Sequence, residues 1–170
     1  MRNDNIRKLV WAGLFTALTT VATMVIQIPT PLGGYVNAGD TVVILGAFFL
    51  GPIWGALAAG LGSALADLMS PYAIYAPATL IIKALMALTA GSILRSSKKK
   101  NALPMAISGS IAAELIMVAG YFAYESTILS YGLGALANIP ANGVQAVFGA
   151  VAGTALFYGL MRIPYVKKTF

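Results

Sequence analysis

Three ionisable residues, Asp40, Asp67 and Lys83, interrupt an almost continuously apolar, Gly- and Ala-rich stretch from Asn37 to Gly91. Charge in such a setting is costly to bury, so each residue needs a partner or a task. Further along, Glu114, Val118, Tyr121 and Glu125 recur at 4-3-4 spacing, which is one face of a helix. Asn138, Asn142, Gln145 and Gly149 share a second such face. Amides and carboxylates at this depth must find hydrogen bonds on neighbouring helices or on a ligand. Together with Tyr35, Tyr72 and Tyr75, these residues suit recognition rather than bond-making, with flat faces for stacking and polar groups for a small solute.

The chain has no Cys and no His, which removes disulfides, thiolate nucleophiles, Cys/His metal sites and Ser-His-Asp or Cys-His triads. No metal motif is visible, and no G-x-x-x-x-G-K-[ST] loop is present to bind and hydrolyse ATP. A site for a solute without an engine points to capture, with energy supplied elsewhere.

Composition places that site in a membrane. Of 170 residues, 59% are hydrophobic and 9% charged, against about 25% charged in soluble domains. The net charge of +6 is not spread over a nucleic-acid-binding face. It gathers at Arg2, Arg7 and Lys8, at Arg95 with Lys98, Lys99 and Lys100, and at Arg162, Lys167 and Lys168. Basic clusters beside apolar spans mark the cytoplasmic side.

The expected elements are a first helix over Leu9 to Ile28, a loop from Pro29 to Gly39, and two helices over 41–50 and 53–69 broken at Gly51-Pro52. Three more follow, over Ala76 to Leu94, Leu103 to Tyr124 and Asn138 to Met161. Six spans put all three basic clusters on one side, whereas fusing 41–69 into one span would split them. The expectation is therefore all-α: one domain over residues 1–170, a bundle of six transmembrane helices with N and C termini cytoplasmic.

Individual residues keep two readings. Asp67 and Lys83 form a structural ion pair, or Lys83 meets a polar ligand while Asp67 positions it. Glu114 bonds a neighbouring helix or a ligand, Glu125 is solvated near an external loop, and Asp40 caps the helix that begins at Thr41. The tyrosines form an interfacial belt, or Tyr35, Tyr72 and Tyr75 cover a pocket. Small residues four apart (Gly51/Gly55, Ala56/Gly60, Ala58/Gly62, Gly149/Gly153) serve close helix packing. Gly13 and Ala17, flanked by Ala12 and Thr16, pack internally or present a smooth stripe to another membrane protein.

The first helix, the NAGD loop end, FLGPIWGALAAGLGSALADL and YAPATLIIKALMALTAG resemble the substrate-capture subunits (S components) of energy-coupling factor (ECF) vitamin transporters. That family carries A-x-x-x-A for docking in its first helix, where this chain has Gly13-x-x-x-Ala17. The resemblance implies a multi-pass protein of the bacterial cell membrane that takes up a small solute outside the cell. It implies partners too: a transmembrane coupling protein (T component) and two cytoplasmic ATPases, which hold the ATP and Mg, with no cofactor in this chain. The substrate-binding candidates are Tyr35, Asn37, Tyr72, Tyr75, Lys83, Glu114, Tyr121, Asn138, Asn142 and Gln145. They suit a neutral or weakly basic heteroaromatic ring, with hydroxymethylpyrimidine or pyridoxine favoured over pantothenate or riboflavin. The competing class is a self-sufficient secondary transporter, coupled to protons through Glu114 or Asp67.

Overall fold

The computed structural model describes residues 2–96 and 102–169, so Lys98, Lys99 and Lys100 of the second basic cluster lie outside the described residues. Six longer helices form the body: α1 (Arg2–Val25), α2 (Gly39–Leu50), α3 (Pro52–Leu68), α4 (Ala76–Arg95), α5 (Ala102–Ala123) and α6 (Ile139–Leu160). A short α7 (Pro164–Thr169) carries Lys167 and Lys168. Among the described residues, four helical stretches are long and apolar enough to cross a membrane: Asn5–Val25, Ala73–Arg95, Ala102–Ile128 and Gly132–Leu160. With 12 and 17 residues, α2 and α3 are shorter.

The break between those two helices falls where the sequence places it. Gly51 takes φ +80, a conformation open to Gly and strained for other residues. Its N–H closes α2 on the Ala47 carbonyl, and Pro52 starts α3, where a missing N–H costs nothing. The Arg95 guanidinium, at the end of α4, lies over Gly51 and donates to the Leu50 carbonyl at 3.2 Å. A cation there satisfies a carbonyl at the negative end of the α2 dipole.

The helices are packed small side inward. On α3, Ile53, Leu57, Leu61 and Leu65 point outward, while Gly55, Ala58, Ala59, Gly62, Ser63 and Ala66 are buried. That inversion of the soluble pattern suits lipid outside and close helix approach inside. At Gly62 the approach leaves no room for a side chain, because an added Cβ would stand 2.6 Å from the Thr16 carbonyl of α1. The main core joins Val43, Ile44 and Ala47 of α2 to Ile82, Met86 and Ala90 of α4, Ala113 and Met117 of α5, and Phe157 of α6.

One expected loop is more ordered than the sequence suggests. The first helix stops at Val25, and Gln27–Pro29 (β1) pairs antiparallel with Tyr35–Asn37 (β2), in the register Gln27 to Asn37 and Pro29 to Tyr35. The turn between them is closed by the Thr30 N–H on the Gly34 carbonyl at 2.8 Å, with Gly33 at φ +85. Three-residue strands with two prolines and three glycines close by carry too little periodicity to be told from a loop. The last turn of α5 is also altered: it widens into a π turn over Tyr124–Ile128, closed by the Leu129 N–H on the Tyr124 carbonyl at 3.1 Å.

Candidate functional site

The β1–β2 hairpin covers one end of the bundle, and beneath it lies a polar cavity. Thr30, Gly34, Tyr35 and Asn37 form its roof. Asp67 from the end of α3, Tyr75 and Thr79 from the start of α4, Tyr121 and Glu125 from the end of α5, and Asn142 from α6 form its walls. The cavity is small, about 20 Å³. A larger concavity of about 670 Å³ runs along the outer surface of α5 and α6, past Leu103, Ile107, Ile111 and Val151. Its apolar rows suit lipid chains and supply few of the convergent polar groups of a solute site.

Two buried carboxylates dominate the small cavity. Asp67 is 1% exposed; its Oδ1 accepts from the Tyr35 hydroxyl at 2.5 Å, and its Oδ2 has no hydrogen-bond partner. Glu125 is 3% exposed; its Oε1 accepts from Asn138 Nδ2 at 2.8 Å and from the Tyr75 hydroxyl at 3.3 Å, and its Oε2 is unpartnered. The Thr30 hydroxyl is unpartnered as well. Thr79, a neighbour of Asp67, stands 3.0 Å from the Tyr121 hydroxyl. Burial, and then the charge of Asp67, push the Tyr35 phenol far above its ordinary pKa, which keeps it a neutral donor. The tyrosines brace one another: Tyr35 stacks on Tyr72 with ring centres 4.2 Å apart, and Tyr75 packs beside Tyr121 and Tyr124.

Deeper in the bundle is a second polar group with a different character. Lys83 pairs with Asp40 Oδ1, both almost fully buried. Gln145 Nε2 donates to Asp40 Oδ2 at 2.5 Å, and Gln145 Oε1 accepts the Asn37 N–H at 2.6 Å. The ammonium also lies 5.4 Å from the centre of the Tyr121 ring, which attracts cations. Glu114 approaches Asp40 across Gly149, where any side chain would strike both. Both Glu114 oxygens lack a hydrogen-bond partner.

The expected residues therefore divide. Tyr35, Asn37, Tyr75, Tyr121 and Asn142 line the cavity; Tyr72 supports Tyr35, and Asn138 holds Glu125 while also accepting the Leu32 N–H at 3.3 Å. Lys83, Gln145 and Glu114 belong to the deeper network. The expected Asp67–Lys83 ion pair is replaced by Asp40–Lys83. The reason is local: Asn37 Oδ1 accepts the Gly39 N–H at 2.8 Å and so supports the start of α2, which begins two residues early. Asp40 then falls inside the helix rather than capping it, and turns into the bundle toward Lys83. Glu125 is a second correction, being buried rather than solvated. It shares a helical face with Tyr121, which was the available signal, and the π turn lies where that face meets the cavity. Thr30, Gly34 and Thr79 had no signal in the sequence, because the hairpin that brings Thr30 and Gly34 over the site was not legible.

The expected docking stripe also divides. Gly13 and Ala17 face outward, with nothing within 4 Å of a Cβ added at Gly13. Ala12 is buried against Phe15, Leu50 and Ala58, and Thr16 turns its hydroxyl onto the Ala12 carbonyl at 2.8 Å. Those two residues serve the bundle interior rather than an outer face.

Residues 3–162 match the family described as "ECF-type riboflavin transporter, S component". An "Uncharacterized protein in gap 3'region" of Pyrococcus woesei is 35% identical over 144 residues, covering 84% of this chain and 94% of that protein. The "Thiamine precursor transporter HmpT" of Lactococcus lactis subsp. cremoris (strain MG1363) is 31% identical over 159 residues, covering 92% of this chain and 89% of that one. A match across nearly the whole chain, joined to a helical bundle with a polar cavity under a hairpin, makes this protein a member of the ECF-type riboflavin transporter S component family.

Proposed function

We propose that the chain is the solute-capturing subunit of an ATP-driven importer in a bacterial cell membrane. In this reading all six longer helices span the membrane, α2 and α3 as short crossings. Both termini and Arg95 then face the cytoplasm, and the hairpin faces outside. A coupling protein and two ATPases, which bind the ATP and Mg, drive release inward. Gly13 and Ala17, on the outward face of α1, are the docking positions.

The observation that carries the reading is the closed polar cavity walled by tyrosines, amides and carboxylates beneath the hairpin. Ligand sites for drug-sized molecules run to about 300–1,000 Å³, so a solute must lift the hairpin away from Asp67, Asn138 and Gln145 to enter. A small ring such as hydroxymethylpyrimidine or pyridoxine asks less of that motion than riboflavin does. Pantothenate, an anion, would face two carboxylates, and Lys83, the cation that would welcome it, is held by Asp40. The relative named as a thiamine precursor transporter favours the pyrimidine.

Copurification with a coupling protein and two ATPases, together with vitamin uptake that stops without ATP, is the expected outcome. Uptake by the purified chain alone in liposomes, driven by a pH gradient, would overturn it in favour of a secondary transporter.

A further inference from the structure

The larger concavity along the outer surface of α5 and α6 is apolar along its length and charged at one end. Leu103, Ile107 and Ile111 of α5 and Ala150, Val151 and Ala155 of α6 form its floor. Arg162, just past α6, closes it, and no acidic side chain is among the described residues that line it. Arg162 is exposed, and its guanidinium has no partner among the described residues, whereas Arg95 is spent on the Leu50 carbonyl. Tyr158, one turn before Arg162, lies on the same wall with its hydroxyl buried and unpartnered. Beyond Arg162, α7 adds the exposed Lys167 and Lys168. From Arg162 back to Ala150 the chain rises about 18 Å, close to one leaflet of a hydrocarbon core about 30 Å thick. A plain lipid-facing surface takes any chain. This one joins a leaflet-long apolar floor to an unspent cation, and basic pockets between membrane helices on the cytoplasmic side bind acidic head groups.

We propose that this concavity is a binding site for an anionic phospholipid of the inner leaflet, separate from the solute cavity. The lipid phosphate meets Arg162, and Lys167 and Lys168 add to the local positive field. One acyl chain runs along the floor between α5 and α6. Tyr158, about 6 Å deeper than Arg162 along the helix, donates its hydroxyl to an ester oxygen, which restores a hydrogen bond lost on burial. A zwitterionic lipid offers the same chains and the same phosphate, but its own ammonium cancels the charge that Arg162 favours. This inference rests on the proposed orientation, with Arg162 facing the cytoplasm, and needs nothing of the solute cavity.

The test is native mass spectrometry of the detergent-purified chain mixed with phosphatidylglycerol and with phosphatidylcholine of the same acyl chains. Phosphatidylglycerol is expected to be retained about tenfold or more tightly, the gain from a hydrogen bond to a charged group. Arg162→Gln is expected to bring it to within about twofold of phosphatidylcholine. Ala155→Phe, which fills the floor, is expected to weaken both lipids. Arg7→Gln removes an exposed cation from α1 and is expected to leave retention unchanged. Equal retention of the two lipids by the unaltered chain overturns the proposal. So does a loss in Arg7→Gln as large as that in Arg162→Gln, which would mean surface charge without a site. Solute binding is measured on the same samples. Selective lipid retention without solute binding overturns the capture reading and leaves the lipid site, and the reverse result overturns the lipid site alone.

Discussion

The cavity under the hairpin and the network below it use the same kinds of side chain to opposite ends. In the network, Asp40 is fully satisfied: Lys83 takes one oxygen and Gln145 the other. In the cavity, Asp67 and Glu125 are each satisfied by the protein on one oxygen and left open on the other. A buried charge with a complete set of partners holds helices together. The difference teaches that burial alone does not divide the polar groups of this bundle, and neither does an open oxygen, since Glu114, with both oxygens unpartnered, stands beside Asp40 and Gly149 and not under the hairpin. Lys83, the most conspicuous residue in the sequence, has its charge met by Asp40.

The largest effects should come from breaking the network. Lys83→Ala or Asp40→Ala leaves one charge buried without its partner, and is expected to cost about 3–5 kcal/mol. Thermal melting in detergent should show it, and the double change Asp40→Leu with Lys83→Met should recover most of the loss. A single variant that melts like the unaltered chain would erase the distinction between the two regions. Next comes Gly62→Val, which drives a side chain into the Thr16 carbonyl and is expected to cost about 1–3 kcal/mol of stability. In contrast, Gly13→Leu on the outward face of the same α1 should leave melting and solute binding unchanged and weaken assembly with the coupling protein.

Smaller effects are expected in the cavity, on affinity rather than melting. Tyr35→Phe removes the donor that holds Asp67 and should weaken solute binding about tenfold, which corresponds to about 1.4 kcal/mol. A change in melting as large as that of Lys83→Ala would put Tyr35 in the structural group instead. The smallest expected response is to pH. Because the folded-state pKa of Tyr35 is raised above its unfolded value of about 10, its contribution is complete below that pH and is lost only as pH climbs past it toward the raised value. Affinity measured from pH 7 to 9 should therefore show no step from Tyr35.

Much of the scaffold was legible, and particular residues say why. Gly51-Pro52 is a helix stop followed by a helix start whatever surrounds it, so the α2–α3 break could be placed to the residue. The ends of α4 and α6 followed from unbroken apolar runs between Pro- and Gly-containing segments. The hairpin escaped because three paired residues on either side of a turn hold together through contacts with Asp67, Asn138 and Gln145, all distant in sequence. Within the site, the polar faces of α5 and α6 were visible from their spacing. Which member of each face would meet a neighbour and which would meet a cavity was not, as Glu114 and Glu125 show.

By itself the sequence determined that this is a helical membrane protein with a handful of polar groups among apolar helices. Composition, periodicity and the placement of charge are properties of the chain alone, and the cost of putting charge into lipid makes them decisive. Only the tertiary structure decided that Lys83 belongs to Asp40, that Asp67 and Glu125 share one cavity, and that a hairpin covers it. Those facts depend on how each helix is rotated about its axis against its neighbours. That rotation is fixed by packing at places such as Gly62 and Gly149, between residues far apart along the chain.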